Sequence, residues 1–290
     1  MALTDEQRRT LRQFRRLLVD AGIDEHELRL VSHLGLLLFC QTLSPAAKLY
    51  YGDDSLALSR LLLPVEGRVL DLCTGPGTQA LVCARTATSV TAVDVEPLAE
   101  KVFWINAELN GLTDKVEFLI GDLLEPVAGR QFDRICCNPP FMPVPPGIRF
   151  PAYADGGPDG LAIVRRLLAG LPDALAPDGL CQVVGSVLGN SDGPDLSSLE
   201  TAAAEAHLKM TISCPSCEEL DAAMLASCAA TAMDSTDVKQ AFREHYARLG
   251  ATHIYYFLLS ASHASQPTVY FSHENLHRAT VALVPRVPAR

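Results

Sequence analysis

Strand-like and helix-like segments alternate regularly from Arg68 to Val187, and this alternation constrains the fold more than any other feature of the sequence. The short apolar runs predict five strands, at 69–73, 89–93, 116–120, 132–137 and 180–187. The segments between them predict helices at 78–86, 97–110 and 160–175. Alternation at this spacing predicts an α/β fold, doubly wound around a mostly parallel sheet.

The pattern is weaker after residue 187 but predicts two further strands, at 208–214 and 252–260, which complete a seven-stranded Rossmann-like sheet. A helix is predicted at 199–207. The connection 217–250 is unusually long and carries two helical patterns, at 218–230 and 235–249. We interpret it as a helical insertion late in the chain and as a candidate substrate lid. Two short β-like runs follow, at 268–271 and 280–284.

Residues 1–62 predict a small helical N-terminal unit, and residues 63–290 the main domain. Thr4 and Gln7 form a capping box that begins an amphipathic helix, which ends near Val19. A second, leucine-rich helix is predicted from Asp24 to about Leu43. The apolar patches of this unit would either dock on the main domain or form a homodimer contact, and the sequence leaves both arrangements open.

The charge of the chain argues against a nucleic-acid partner. The formal net charge is −10, whereas binding to a phosphate backbone depends on lysine and arginine side chains that displace counterions. No run approaches the ~20 apolar residues that a membrane span requires. No apolar segment follows the charged N-terminal residues, so we expect a cytoplasmic protein without a secretory signal or membrane contact.

The nine cysteines do not predict a disulfide framework in a chain of this size without a signal peptide. Cys214 and Cys217 have the C-x-x-C spacing of metal and redox sites. A structural zinc site needs four ligands, however, and the sequence has no second close pair. We therefore expect no metal, and we interpret Cys214–Cys217 as a loop at the end of a strand.

A glycine-rich turn follows the first strand of the alternation, in the sequence Asp71-Leu-Cys-Thr-Gly75-Pro-Gly77-Thr-Gln-Ala80. The glycines permit a tight turn that brings the backbone close to a ligand at a helix N-terminus. Alone, this pattern would also suit the pyrophosphate of a dinucleotide. Asp71 argues against that reading because its carboxylate would repel phosphate. It can hold the turn or a cationic amino-acid group.

Carboxylates also follow the next two strands. Asp94 is placed to accept hydrogen bonds from the two hydroxyls of a ribose, although an ordinary helix N-cap is the structural alternative. Asp122, after Gly121, is placed to accept a hydrogen bond from the exocyclic amine of adenine, or it is a turn residue. The candidate cofactor-binding residues are Asp71, Cys73, Thr74, Gly75, Gly77, Asp94, Val95, Asp122, Leu123 and Asn138.

The most specific motif is Asn138-Pro139-Pro140-Phe141, at the end of the fourth predicted strand. Each proline fixes its own φ and restricts the residue before it. The Asn138 side-chain oxygen and the Pro139 carbonyl thereby become rigid acceptors that can hold an NH₂ group, with its lone pair aimed at a methyl donor. Phe141 offers a face to a planar group or a sulfonium cation. We predict that all four residues are catalytic.

Together these motifs resemble the class I S-adenosylmethionine (SAM)-dependent methyltransferases that carry an N-P-P-[FY] sequence. That group includes the glutamine methyltransferases of release factors and ribosomal protein, and the N-methyltransferases of adenine and guanine exocyclic amines. The resemblance covers about residues 50–190, including the segment Asp155–Gly160 after the motif. It implies SAM, bound without a metal at the carboxyl edge of the sheet, and methyl transfer to a nitrogen.

The acceptor stays open at this point, because the insertion 217–250 and the N-terminal unit depart from the glutamine methyltransferases. A small metabolite and a protein side-chain amide are both compatible with the motif. An enzyme that cyclises the aminobutyl part of SAM and releases methylthioadenosine is an alternative. A nucleic-acid base N-methyltransferase is a further one, disfavoured by the charge. A SAM-binding regulatory protein without catalysis would not need the Asn138–Phe141 motif.

Overall fold

The computed structural model describes residues 9, 13, 19, 28–41, 47–273 and 284–286. The chain divides into two compact units. Unit 1 comprises Met1–Leu43 and Ala47–Pro126, and unit 2 comprises Ser44–Ala46 and Val127–Arg290. The boundary predicted between residues 62 and 63 does not coincide with this division and stays a prediction about domains. The helix predicted over 4–19 lies outside the described residues, apart from three single positions.

Unit 1 contains a three-stranded parallel sheet with helices between its strands. Its elements are β1 (Arg29–His33), β2 (Leu36–Cys40), α1 (Asp53–Leu61), β3 (Arg68–Leu72), α2 (Thr78–Ala84), β4 (Ser89–Asp94), α3 (Pro97–Leu109) and β5 (Val116–Ile120). β4 pairs in parallel with β3 on one side and with β5 on the other. The carboxyl ends of all three strands therefore lie at one edge of this sheet.

Residues 29–40 form an antiparallel hairpin, so the helix predicted from Asp24 to Leu43 is wrong for this segment. Leu34 and Gly35 at the tip have φ values of 48° and 88°, as a two-residue hairpin turn with two left-handed residues requires. Periodicity alone cannot distinguish a short apolar run, such as residues 34–40, from a buried helix. The predicted N-terminal unit is consequently not purely helical.

Two asparagine side chains form hydrogen bonds with the edge of β2 that faces away from β1. One asparagine, Asn106, lies in α3, and the other, Asn110, is the C-cap of α3. Asn106 Oδ1 accepts a hydrogen bond from Phe39 N at 2.7 Å, and its Nδ2 donates to Phe39 O at 2.9 Å. Asn110 makes the same two bonds with Leu37, at 2.9 and 2.8 Å. Asn106 Nδ2 also donates to Pro76 O at 2.8 Å. The buried Asn106 thus links helix, hairpin and glycine turn.

Unit 2 combines parallel and antiparallel strand pairs. Its elements are β6 (Phe132–Cys137), α4 (Ala162–Ala174), β7 (Leu175–Asn190), β8 (Gly193–Pro194), α5 (Ser197–Glu205), β9 (Leu208–Glu219), α6 (Leu220–Ala230), α7 (Thr236–Arg248), β10 (His253–His263), β11 (Thr268–His273) and β12 (Val284–Arg286). β6 is parallel to β7, and β10 lies antiparallel between β7 and β9. β11 is parallel to β9 and antiparallel to β12.

The seven predicted strands are present as β3–β7, β9 and β10. β9 is longer than predicted, so Cys214 and Cys217 lie within a strand and their interpretation as a loop is wrong. Residues 176–179, which separate the predicted helix 160–175 from the predicted strand 180–187, lie inside β7, where pairing with β6 is irregular. β11 confirms the run at 268–271, whereas most of the run at 280–284 lies outside the described residues. All nine cysteines lie among the described residues, and none of them forms a disulfide.

Helices α6 and α7 confirm the helical insertion. They pack in a buried apolar cluster with the segment that follows the N-P-P-F motif. Its members are Val144, Phe150, Leu188, Leu220, Ala223, Met224, Cys228, Phe242, Tyr246 and Ile254. Tyr246 Oη donates a hydrogen bond to Pro143 O at 3.0 Å, and His245 Nε2 lies 2.7 Å from Pro158 O. Within the described part of the chain, no helix has the length and hydropathy to cross a membrane.

Asn106→Ala tests the asparagine link. The substitution leaves the Phe39 N–H and the Phe39 and Pro76 carbonyls without these bonds in a buried region. Unsatisfied buried groups are destabilising, so we expect the free energy of unfolding to fall by about 2–4 kcal/mol in urea denaturation. Asn110→Ala, at a half-buried position, is the control, with an expected loss of about 1 kcal/mol. Equal losses in the two variants would contradict a special role for Asn106.

Candidate functional site

The glycine turn of unit 1 connects β3 to α2 through left-handed backbone. Cys73, Gly75 and Gly77 have φ values of 54°, 53° and 89°, a region that is unfavourable for any residue with a Cβ atom. A Cβ atom at Gly77 would lie 2.6 Å from the Phe103 ring, whereas one at Gly75 would meet nothing within 4 Å. Packing therefore excludes a side chain at Gly77, while Gly75 borders open space that a ligand can occupy.

Asp71 is completely buried and holds this turn. Its Oδ2 accepts hydrogen bonds from Thr74 Oγ1 at 2.5 Å and from Ala80 N at 2.9 Å. Thr74 N donates in turn to Val93 O at 3.1 Å, which ties the turn to β4. Of the two roles that the sequence leaves open for Asp71, its contacts support the one that holds the turn.

Asp94 bridges the turn and the start of the next helix. Its Oδ2 accepts from Gly75 N at 2.8 Å, and its Oδ1 accepts from Glu96 N at 2.9 Å. Burial raises the pKa of Asp94 above its ordinary value, against the opposing effect of these backbone N–H groups. The N-cap of α3 is Glu96, whose Oε1 accepts from Leu98 N at 3.0 Å. A carboxylate has about four acceptor sites, so Asp94 retains capacity for a further hydroxyl donor.

Two exposed apolar side chains lie near Asp94. Val95 follows β4 and is 64% exposed, and Ile120, which pairs with Asp94, is 50% exposed. Asp122 is half-buried two residues further on, and the buried Leu123 has a φ of 49°. Apolar side chains with carboxylates nearby suit a planar ring that carries an amine. Ile120 is not recognisable as a site residue from the sequence, because nothing distinguishes it from an ordinary strand residue.

The N-P-P-F motif follows β6 in unit 2. The Asn138 side-chain oxygen is inaccessible to solvent, Pro139 is buried, and Pro140 is half-buried. Ser186 Oγ on β7 donates a hydrogen bond to Phe141 O at 2.7 Å. These contacts hold the backbone of the motif against a neighbouring strand.

The segment Asp155–Gly160 lies directly against the motif. A Cβ atom at Gly156 would be 2.6 Å from Phe141 Cα, and one at Gly160 would be 2.5 Å from Phe141 O. Asp159 accepts hydrogen bonds from both Nη atoms of Arg165, at 2.5 and 3.0 Å. Burial raises the pKa of Asp159, but the Arg165 guanidinium and the backbone N–H of Leu161 together outweigh burial and lower that pKa. This pair fixes the segment at the start of α4.

Three other residues support these sites and are missed by the sequence analysis. Asn106 is a polar residue in the buried stripe of α3, and Ser186 is a polar residue in an apolar strand. Both signals are visible in the sequence, but they do not reveal the partner. The ring of Tyr256 on β10 lies with its centroid 6.4 Å from that of Phe141, at an interplanar angle of 81°. No local pattern marks Tyr256.

The structure places the predicted residues in two groups. Unit 1 holds Asp71, Cys73, Thr74, Gly75, Gly77, Asp94, Val95, Asp122 and Leu123, in the glycine turn or at the carboxyl ends of β3–β5. Unit 2 holds the consecutive residues Asn138, Pro139, Pro140 and Phe141 after β6. In the residues that the structure describes, no three His, Cys, Asp or Glu side chains are grouped to hold a metal ion.

Comparisons with known proteins identify relatives among the methyltransferases. The family model of the methyltransferase small domain matches residues 52–188. A ribosomal protein uL3 glutamine methyltransferase of Bradyrhizobium diazoefficiens is 38% identical over 147 residues, which are 46% of this chain and 46% of that protein. A protein assigned as an N5-glutamine methyltransferase of Methanocaldococcus jannaschii is 34% identical over 142 residues, 47% of this chain and 71% of that protein.

A solved structure of an assigned methyltransferase from Bacillus halodurans has a TM-score of 0.50 and 18% identity, and the match covers 74% of this chain and 100% of that chain. This likeness shows the fold class, a doubly wound, Rossmann-like α/β fold. The chain belongs to the class I SAM-dependent methyltransferases, in the family of the methyltransferase small domain. It spans about half the length of most of the curated relatives that it matches.

Alanine at the two glycines separates packing from backbone conformation. Gly75→Ala and Gly77→Ala both place a Cβ atom in the left-handed region, but only the second meets the Phe103 ring. Overpacking of a core is destabilising, so we expect Gly77→Ala to lose about 1–3 kcal/mol more stability than Gly75→Ala in thermal unfolding. Equal losses would show that the Phe103 contact relaxes freely.

Proposed function

We propose that this protein is a SAM-dependent N-methyltransferase whose acceptor is the side-chain amide of a protein glutamine. The observation that carries the proposal is the rigid N-P-P-F motif, with the buried Asn138 oxygen at its start and Ser186 against the Phe141 carbonyl. The names of the two relatives, both glutamine methyltransferases, support this acceptor over a small metabolite.

The residues of unit 1 fit SAM. Gly75 leaves open space beside the turn, and Asp94 has lone pairs for the ribose hydroxyls. Val95 and Ile120 offer apolar surface to the adenine ring, with Asp122 as an acceptor for its amine. Bound SAM would supply an electrophilic methyl group on a sulfonium. None of these roles needs a metal ion.

Asn138 and Pro139 would orient the acceptor amide. The Asn138 side-chain oxygen and the Pro139 carbonyl oxygen would accept hydrogen bonds from the two N–H groups of that amide. The prolines fix the backbone that carries both oxygens, so the lone pair of the held nitrogen is directed at the methyl donor. A nitrogen–carbon bond then forms as the sulfur–carbon bond breaks, and the nitrogen releases its proton to solvent. Because no strong base is required, positioning is the main contribution, and it is worth up to ~7–11 kcal/mol in favourable systems.

The insertion 217–250 is proposed as the wall or lid on the acceptor side. Tyr246 bonds to Pro143, two residues after the motif, and His245 contacts Pro158. The apolar cluster beneath α6 and α7 supports a wall that keeps its position. Limiting the access of bulk water to the methyl group, without closing the path by which the proton leaves, would be its contribution.

Methyl-labelled SAM and mass spectrometry of the products test the proposal. The protein is incubated with SAM alone, with recombinant ribosomal protein uL3, and with a bacterial release factor. S-adenosylhomocysteine formed only with a protein acceptor, together with label on a glutamine, is the expected result. Methylthioadenosine without an acceptor would favour the cyclising alternative. Tight SAM binding without turnover would favour a regulatory protein. Label recovered only in added RNA or DNA would favour a nucleic-acid base methyltransferase.

Asn138→Ala tests the motif. Loss of the side-chain acceptor leaves the amide nitrogen without orientation, so we expect kcat to fall by about 10²-fold or more. Asn190→Ala is the control, because Asn190 lies in the same unit and its Oδ1 accepts from Asp192 N in an exposed turn. Full activity of Asn138→Ala would remove the motif from the mechanism.

Asp94→Asn tests the ribose contact. Hydrogen bonds to a charged group contribute about 1.5–3 kcal/mol, so calorimetry should find S-adenosylhomocysteine bound about 10- to 100-fold more weakly. Glu96→Gln is the matched control, because Glu96 lies two residues away and caps α3 instead. We expect its affinity to stay within about twofold of wild type, because the Glu96 side chain accepts from Leu98 N and its charge is the smallest of the influences on Asp94. A similar loss in both variants would point to damage of the turn.

A further inference from the structure

Tyr256 lies beside the N-P-P-F motif, and the proposed mechanism assigns it no role. In the pairing of β10 with its neighbours, Tyr256 lies opposite Ser186 of β7 and Ser216 of β9. Ser186 holds the Phe141 carbonyl, and the Tyr256 ring meets the Phe141 ring nearly at a right angle. Adjacent strands therefore contact both the backbone and the ring of the last motif residue.

The neighbours of Tyr256 on β10 lie on the opposite face of the sheet. Tyr255 Oη donates a hydrogen bond to Asn190 O at 2.6 Å, and the Phe257 ring occupies the space where a Gly185 Cβ atom would lie, at 2.6 Å. The pairing of β10 with β9 shifts register between Tyr256 and Leu258. Such bulges redirect side chains and are frequent beside active sites.

The hydroxyl of Tyr256 makes no hydrogen bond to any other residue that the structure describes, unlike those of Tyr246 and Tyr255. Half-buried tyrosines usually place this group against a partner. Burial, and then the Glu218 carboxylate, raise the pKa of Tyr256 to about 12. The hydroxyl therefore stays protonated near neutral pH and remains a hydrogen-bond donor.

We infer that Tyr256 determines acceptor specificity, and that its hydroxyl donates a hydrogen bond to the carbonyl oxygen of the carboxamide being methylated. The inference rests on the proposed function. A primary amide presents two N–H donors and, on the adjacent oxygen, an acceptor. Asn138 and Pro139 supply acceptor oxygens for the two N–H groups of the amide, and the Tyr256 hydroxyl supplies the donor for its carbonyl oxygen. A free amine of similar size lacks the oxygen and would lose this contact.

Tyr256→Phe keeps the ring beside Phe141 and removes only the hydroxyl. With recombinant uL3 as acceptor, we expect KM to rise about three- to tenfold, the value of one hydrogen bond. A contact made equally in the bound and transition states changes KM and leaves kcat alone. The calorimetric affinity for S-adenosylhomocysteine should also stay unchanged. Tyr256→Leu, which removes the ring as well, should raise KM further.

Tyr255→Phe is the matched control, because it removes a hydroxyl from the adjacent residue on the other face. It should lower thermal stability through the lost bond to Asn190 and leave KM for uL3 unchanged. A wild-type KM in Tyr256→Phe, or an equal rise in Tyr255→Phe, would overturn the inference while the proposed function stands. Absence of methyl transfer to uL3 by the wild-type protein would reject the uL3 acceptor and this inference together.

Discussion

A turn with left-handed backbone at three of five positions, Cys73 to Gly77, is the constraint on which unit 1 depends. Such conformations persist only where the surrounding structure over-determines them. Here the buried Asp71 and the half-buried Asp94 accept hydrogen bonds from the turn, and Asn106 donates one to it. The elements around the turn are arranged to supply these partners. Hydrogen bonds from these polar side chains thus hold the strained turn in a conformation that leaves the Gly75 backbone next to open space.

The same logic holds in unit 2, with different chemistry. The motif is stiffened from within by two prolines and from outside by close backbone contact. Gly156 and Gly160 allow the following segment to touch Phe141, and Ser186 adds a hydrogen bond. The cluster beneath α6 and α7 then packs against that segment. In its proposed role of orienting an amide, the motif requires this kind of support, because a displacement of about 1 Å can lower the reaction rate strongly.

Local signals explain which parts of the fold the sequence predicts. Strands β3–β6 and the glycine turn follow from short apolar runs, turn residues and their spacing, all within a few positions. The hairpin at 29–40 does not, because its edge is paired by Asn106 and Asn110, which lie 67 and 73 positions from their partners. A run that is compatible with helix or strand is decided by such distant contacts.

The candidate site divides in the same way. Residues proposed to carry chemistry, such as Asp94 and Asn138, stand in recognisable motifs, whereas the residues that support them do not. Ser186 lies 45 positions from Phe141, and Tyr256 lies on a strand beyond residues 52–188, the part that the family model matches. All the candidate cofactor-binding residues, by contrast, lie within residues 52–188. The proposed acceptor contacts involve β10 and the insertion, where the sequence contains no recognisable motif and only the packed structure shows that Tyr256 lies beside Phe141.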